Sequence, residues 1–213
     1  MDRRNRPGPR RARARLSQTV ILFARTVRLG RGKRRLAREI GDIGAWRFYR
    51  AALRQSLRIA IQHPCRMMIA ALDPIADVST PGQPFNDAHT SRLKVNSQGR
   101  GDLGRRMVGA LNQVPQGPAI LIGADIQGLT GATLSRALKA TLSSDIVFGP
   151  ATDGGFWLLG TRAGISVRQF QTVGWSEATT LAQSVAVFPA AKRVRLVDTL
   201  SDVDSIKDLA KFS

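Results

Sequence analysis

Short β-branched apolar runs punctuate this chain, each long enough for one strand and too short for a helix. They are Thr19-Val-Ile-Leu-Phe-Ala24, Met67-Met-Ile-Ala-Ala-Leu72, Ala119-Ile-Leu-Ile-Gly123, Asp145-Ile-Val-Phe148, Phe156-Trp-Leu-Leu159 and Val194–Val197. Except for Val194–Val197, which Arg195 interrupts, these runs have no polar alternation and suit strands covered on both faces. Between them the period changes. Leu36, Ile40, Ile43, Trp46, Leu53 and Leu57 recur at helical spacing over residues 34–61, where Gly41 and Gly44 predict a division into two helices. Further helices are predicted over 102–112, 130–142 and 177–184 and from Ser205, and a short strand near Leu93–Val95. Strands alternating with helices imply a single three-layer α/β domain, with a mostly parallel sheet covered on both sides. In such sheets ligands bind beyond the carboxyl ends of the strands, so the post-strand loops carry the functional question.

Charge divides the 213 residues unevenly. Lys and Arg number 33 against 15 Asp and Glu, and residues 1–66 hold 19 of the cations and only 3 of the anions. Much of the excess is Arg3, Arg4, Arg6, Arg10, Arg11, Arg13 and Arg15, so residues 1–18 are expected to form a disordered basic tail ahead of a domain at 19–213. Such an arm can bind nucleic acid or serve only as a solvated extension. The apolar run Val20–Ala24 is too short for the core of a secretory signal. No run approaches the roughly 18 apolar residues of a membrane span, and a soluble, cytoplasmic protein is expected. A lone cysteine, Cys65, excludes an intramolecular disulfide scaffold, and two histidines leave little for a His-rich metal site.

Four post-strand segments carry candidate chemistry. Arg25 to Arg35 is a glycine-containing, cation-rich turn between a strand and a helix, suited to a phosphate through Arg25, Gly32, Lys33 and Arg35. It has neither the Walker nor the Gly-x-Gly-x-x-Gly spacing. In Gln98-Gly-Arg-Gly-Asp102, Asp102 suits a helix cap, and Gly99 and Gly101 either shape the entry turn or let a ligand approach the backbone. Asp125, directly after a buried strand, either holds Mg²⁺ or Mn²⁺ against a diphosphate or bonds its own backbone in a turn. Asp153-Gly-Gly155 with Phe156 and Trp157 is a hairpin signal, and also offers a carboxylate, bare backbone and aromatic surface to a ligand.

In order and spacing these segments resemble the radical-SAM/selenodomain-associated transferases, a family catalogued as a domain of unknown function and labelled glycosyltransferase-like. The matching residues are Gln98-Gly99, Gly101-Asp-Leu-Gly104 with Met107, Gly123-Ala-Asp-Ile126 with Gly128-Leu129, and Gly149-Pro-Ala151 with Asp153 through Gly160. Trp175-Ser176, Asp202-Val-Asp204 and Asp208-Leu209 complete the set, which spans about residues 19–212. The resemblance implies the GT-A fold of nucleotide-diphospho-sugar transferases, shared with phospholactate guanylyltransferases and molybdenum-cofactor nucleotidyltransferases. It implies a nucleotide on the first loop and on Gln98, Gly99 and Gly101, and a divalent metal on Asp125. Asp153 becomes a second ligand or a sugar contact, and Gly154, Gly155, Phe156 and Trp157 become donor or acceptor contacts. The first loop departs from the family pattern: Arg25 stands where lysine is usual, its prolines are missing, and Gln127 replaces a proline.

The expectation is thus a metal-dependent transferase using a nucleotide sugar or nucleoside triphosphate and a small acceptor. Arg25, Lys33 and Arg35 would neutralise phosphates, and Asp102 or Asp153 would orient the acceptor or transferred group. Glycosyl transfer ranks first, nucleotidyl transfer to a small phosphorylated acceptor second, and nucleic-acid binding by the arginine tail third.

Overall fold

The computed structural model describes residues 18–30, 33–65, 67–73, 85–86, 91–114 and 117–202. The arginine tail, Gly32 and the helix expected from Ser205 lie outside those residues. Gln18, which the charge pattern assigns to the tail, is buried and its side-chain amide bonds the end of a distant helix at Leu138, so the folded domain includes it.

The chain forms β1 (Thr19–Arg25), α1 (Arg34–Gln62), β2 (Met67–Asp73), β3 (Leu93–Ser97), α2 (Leu103–Asn112), β4 (Ala119–Gly123), β5 (Ile126–Gln127) and α3 (Gly131–Ala140). There follow β6 (Ile146–Pro150), β7 (Phe156–Thr161), a 3₁₀ turn at Val167–Phe170, α4 (Thr180–Ala186), β8 (Val194–Leu196) and β9 (Ser201–Asp202). The seven-stranded sheet has the order β3-β2-β1-β4-β7-β6-β8, and only β7 runs against its neighbours. β5 and β9 make a separate antiparallel pair.

Strand periodicity builds the layers. Val20, Leu22, Met68, Ala70, Ile120 and Ile122 face the second half of α1 and α3, where Leu53, Leu57, Ala60, Leu134 and Leu138 close one core. The alternate residues Ile21, Ile69 and Leu121 face α2 and the 3₁₀ turn, packing with Met107, Val108, Leu111 and Phe170. The sheet is therefore buried on both sides, as its apolar runs require.

The predicted break in the long helix occurs at one glycine only. Gly41 adopts φ 76, ψ 161, while Gly44 stays helical. A positive φ interrupts the helical ladder, whereas a glycine that keeps helical angles only weakens it. The short strand near Leu93 is a full edge strand, parallel to β2. The helix predicted over 177–184 starts later, at Thr180, because Gly174 to Thr179 turn back on themselves, with the Thr180 hydroxyl donating to the Gly174 carbonyl at 2.8 Å.

Register places the post-strand loops along one edge. Arg25 aligns with Asp73, Leu72 with Ser97, and Phe23 with Gly123, so β1 to β4 all end together. The β6–β7 hairpin turns at that same edge.

Candidate functional site

A cleft runs along the edge where the strands end. It consists of two adjoining cavities of about 670 and 230 Å³, which share Leu103, Asp125, Ser176 and Asp202. Their combined lining is of a size that holds a substrate-sized ligand. A separate hollow of about 530 Å³ opens at the opposite edge between Leu111 and Arg162, and no carboxylate lines it.

The larger cavity is basic. Among the described residues Arg25, Lys33, Arg34, Arg35 and Arg106 line it, against only Asp125 and Asp202. Arg25 ends β1, and its backbone is gripped by Tyr49 of α1. The Tyr49 hydroxyl accepts from the Arg25 N–H at 2.8 Å and donates to the Arg25 carbonyl at 2.9 Å. Burial pushes this phenol well above its usual range, and the Asp125 carboxylate adds to the shift, so Tyr49 stays a neutral donor. Lys33 caps α1 in the left-handed region, at φ 42 and ψ 42, and its carbonyl accepts from Ala37. Its ammonium reaches back to Asp125 at 2.7 Å, with the lysine side chain 7% and the aspartate side chain 26% exposed.

Gln98 is buried at the end of β3 and ties three strands to this cavity. Its amide donates to the Ala24 and Ala71 carbonyls at 2.9 and 3.1 Å, and its oxygen accepts from Arg106 Nη1 at 2.7 Å. Arg106 is further held by Asp73 at 3.2 Å and lies over the Phe23 ring, 5.9 Å from its centroid. Its Nε is buried with no hydrogen-bond partner. The residue predicted to touch nucleotide thus spends its amide protons on the scaffold, and fixes a cation that the sequence pattern did not single out.

The smaller cavity has the opposite character. Asp125, Asp153, Glu177 and Asp202 line it together with Phe156, Trp157 and Trp175, and among the described residues no Lys or Arg does. Phe156 stands edge-on to Phe148 and Trp175, at centroid distances of 5.0 and 6.4 Å. Trp157 is buried and donates its indole N–H to the Asp198 carbonyl at 2.8 Å. Asp198 is in turn paired with Arg136 at 2.8 Å, which holds its carboxyl below the usual carboxylate range. Asp153 accepts the Gly155 N–H at 2.9 Å, so it shapes the hairpin turn while lining the cavity. Ser176, at φ 66, is held in a left-handed conformation where the two cavities meet.

The structure therefore brings Arg25, Lys33, Arg35, Gln98, Asp125, Asp153, Gly155, Phe156 and Trp157 to one cleft. Gly99, Gly101, Asp102 and Gly154 do not line it. Gly99 and Gly101 adopt φ +80 and +111 to enter α2, and Asp102 caps that helix by accepting the Arg105 N–H at 2.8 Å. At Gly154 (φ +87) a Cβ would overlap the Ala178 carbonyl, so the glycine serves packing against the next loop. Asp202 and Ser176 lie in segments quoted for the family pattern, but nothing in their spacing gave them a role. Tyr49 had no signal at all.

The donor set fits a hard divalent cation. β5 pairs with β9 so that Ile126 opposes Asp202, and Asp125 and Asp202 both line both cavities. Only oxygens are offered there, and Asp125 already carries a cationic partner in Lys33. Among the described residues no group of three or more His, Cys, Asp or Glu could hold a metal ion. Among the described residues the protein ligands would therefore be two carboxylates at most, the pattern of Mg²⁺ or Mn²⁺ ions completed by substrate phosphates.

Residues 57–177 match the sequence profile of a family described as an uncharacterized protein conserved in bacteria, DUF2064. A solved protein from Desulfovibrio desulfuricans G20, classed as a nucleotide-diphospho-sugar transferase, is similar with a TM-score of 0.79 and 26% identity, covering 90% of this chain and 84% of that one. The inositol-1-phosphate CTP transferase from T. maritima is similar in fold at a TM-score of 0.56 and 12% identity, over 91% of each chain. Glucosyl-3-phosphoglycerate synthase from Mycobacterium tuberculosis, solved with Mn²⁺, UDP and phosphoglyceric acid, gives 0.53 at 8% identity, over 94% of this chain and 75% of that one. No curated protein matches the chain in sequence. No helix among the described residues is long and apolar enough to cross a membrane.

Proposed function

The chain belongs to the DUF2064 family, and we propose that it is a divalent-metal-dependent transferase that moves a glycosyl group from a nucleotide sugar to a small acceptor. The observation that carries this reading is the change of charge along one cleft: five cations line one half and four carboxylates with three aromatic rings line the other. A nucleotide sugar has the matching polarity, with an anionic diphosphate at one end and a hydroxyl-rich neutral ring at the other.

On this reading Arg25, Lys33, Arg35 and the fixed guanidinium of Arg106 take the charge of the diphosphate. Asp125 and Asp202 hold Mg²⁺ or Mn²⁺ at the boundary. The ion, when bound, supplies Lewis-acid neutralisation of the diphosphate oxygens. Asp153 and Glu177 accept hydrogen bonds from sugar hydroxyls, and Phe156 and Trp175 give the ring an apolar face. Most of the rate enhancement would be electrostatic, from cations placed where the departing diphosphate gathers charge.

Nucleotidyl transfer onto a phosphorylated acceptor is the second reading, and the smaller cavity argues against it. Among the described residues no Lys or Arg lines that cavity, so a second phosphate there would have only the Lys33 ammonium and the proposed metal ion, both at Asp125, to set against four carboxylates. Thermal shift against a panel of nucleotides and nucleotide sugars, with and without Mn²⁺, tests the proposal, because a ligand that binds only the folded state raises the midpoint. One nucleotide sugar should give a Mn²⁺-dependent rise, and turnover should release a nucleoside diphosphate. Release of pyrophosphate from a nucleoside triphosphate would overturn glycosyl transfer in favour of the second reading. A flat panel would overturn both.

A further inference from the structure

Asp125 is not waiting with an empty carboxylate. The Lys33 ammonium sits 2.7 Å from its Oδ2, almost wholly shielded from solvent. The surroundings explain why a cation is needed there. Asp202 lies beside Asp125 across the β5–β9 pair, and Asp153 and Glu177 line the same adjoining cavity. A carboxylate only 26% exposed, lining a cavity with three other acidic side chains, gains from a nearby counter-charge, and one ammonium on a flexible stem supplies it. Lys33 also lines the larger cavity with Arg25, Arg35 and Arg106, so the same side chain borders the space assigned to the diphosphate. Its backbone is at the N-cap of α1, where its side chain makes no capping bond that would tie it to the helix.

We propose that Lys33 is the built-in counter-ion of Asp125, standing where the divalent ion acts, and that it passes to the donor diphosphate when that ion binds. This inference rests on the assignment of the metal to Asp125. An ammonium and a divalent cation repel one another at hydrogen-bond range, so both do not share this carboxylate without loss. The metal must displace the lysine, and the diphosphate gives the displaced lysine a new anion. Metal and diphosphate then bind as a linked pair, each raising the affinity for the other, because linkage between two sites is reciprocal. The contact also keeps the Asp125 carboxylate neutralised while the cleft is without substrate.

Calorimetric titration of Mn²⁺ alone into the full-length protein tests this. Lys33→Met removes the competing cation, and the variant should bind Mn²⁺ more tightly than wild type, by about tenfold within the roughly 5–150-fold range of ordinary site coupling. A residue whose role is only structural would leave metal affinity unchanged or weaken it when removed. Lys33→Arg keeps a cation on Asp125 and should bind Mn²⁺ no more tightly than wild type, which also serves if the methionine variant does not fold. Equal or weaker Mn²⁺ binding by a folded Lys33→Met, or tighter binding by Lys33→Arg, would overturn the proposal. Asp125→Asn separates the two levels. If it abolishes Mn²⁺ binding while Lys33→Met changes nothing, the metal assignment stands and only the counter-ion role falls. If Asp125→Asn binds Mn²⁺ as wild type does, both fall.

Discussion

The two halves of the cleft are built differently. The acidic, aromatic half sits on a tight hairpin whose packing leaves no slack. A Cβ at Gly149 would overlap the Trp157 indole, one at Gly154 would overlap the Ala178 carbonyl, and one at Gly104 would overlap Trp175. The basic half depends on side chains reaching in from the β1–α1 connection, with Arg25 and Arg35 exposed and Lys33 extended across to Asp125. Only its floor, where Gln98 and Asp73 hold Arg106, has comparable rigidity. A neutral sugar is recognised by shape and directed hydrogen bonds, which a fixed surface provides. A diphosphate is recognised mainly by charge, which several long cationic side chains provide without a single required geometry. The contrast fits one cleft with two kinds of recognition.

The comparison can be broken at either half. The largest effect on stability is expected from Gly154→Ala. The residue has φ +87, and the added methyl would collide with backbone, so we expect a loss of about 2–4 kcal/mol. At roughly 2–4 °C per kcal/mol for a chain of this size, the melting midpoint should fall by about 5–15 °C. Mn²⁺ affinity of the folded variant should be unchanged, since Asp125 is held by the other half. A parallel loss of metal binding, measured calorimetrically below the midpoint, would show that the two halves are not independent. A smaller effect is expected from Tyr49→Phe, which removes both hydrogen bonds to the end of β1. At about 0.5–1.5 kcal/mol per hydrogen bond, stability should fall by about 1–3 kcal/mol. Nucleotide affinity should weaken with it because Arg25 is released, while acceptor-side contacts remain. Unaltered nucleotide binding in Tyr49→Phe would mean that the clamp serves the fold alone.

How much of this was legible in sequence follows from how local each signal is. The five inner strands of the main sheet were readable because each holds an unbroken apolar run, the edge strands β3 and β8 are interrupted by Lys94 and Arg195, and Gly41 announced the helix break. Asp102 was readable as a cap, and Asp125 as a post-strand carboxylate, because both depend on neighbours within a few residues. The β5–β9 pair was not readable: each strand has two residues, and the pairing joins Ile126 to Asp202 across most of the C-terminal half. Asp202 therefore enters the site through topology alone. Tyr49 and Arg106 follow the same rule, since their partners Arg25 and Asp73 are 24 and 33 residues away. The glycines gave a less specific signal. Gly99, Gly101 and Gly154 suit ligand-facing backbone by type, but each also adopts a positive φ that favours glycine, and Gly154 is packed against Ala178.

The central claim is that Asp125 couples the two halves through a divalent ion. Its most direct test is the affinity of wild type and Asp125→Asn for the nucleotide sugar selected by thermal shift, each measured with and without Mn²⁺ by calorimetry. The account predicts that Mn²⁺ strengthens binding to wild type and has no effect on the folded Asp125→Asn variant. An equal Mn²⁺ enhancement in both proteins would contradict it.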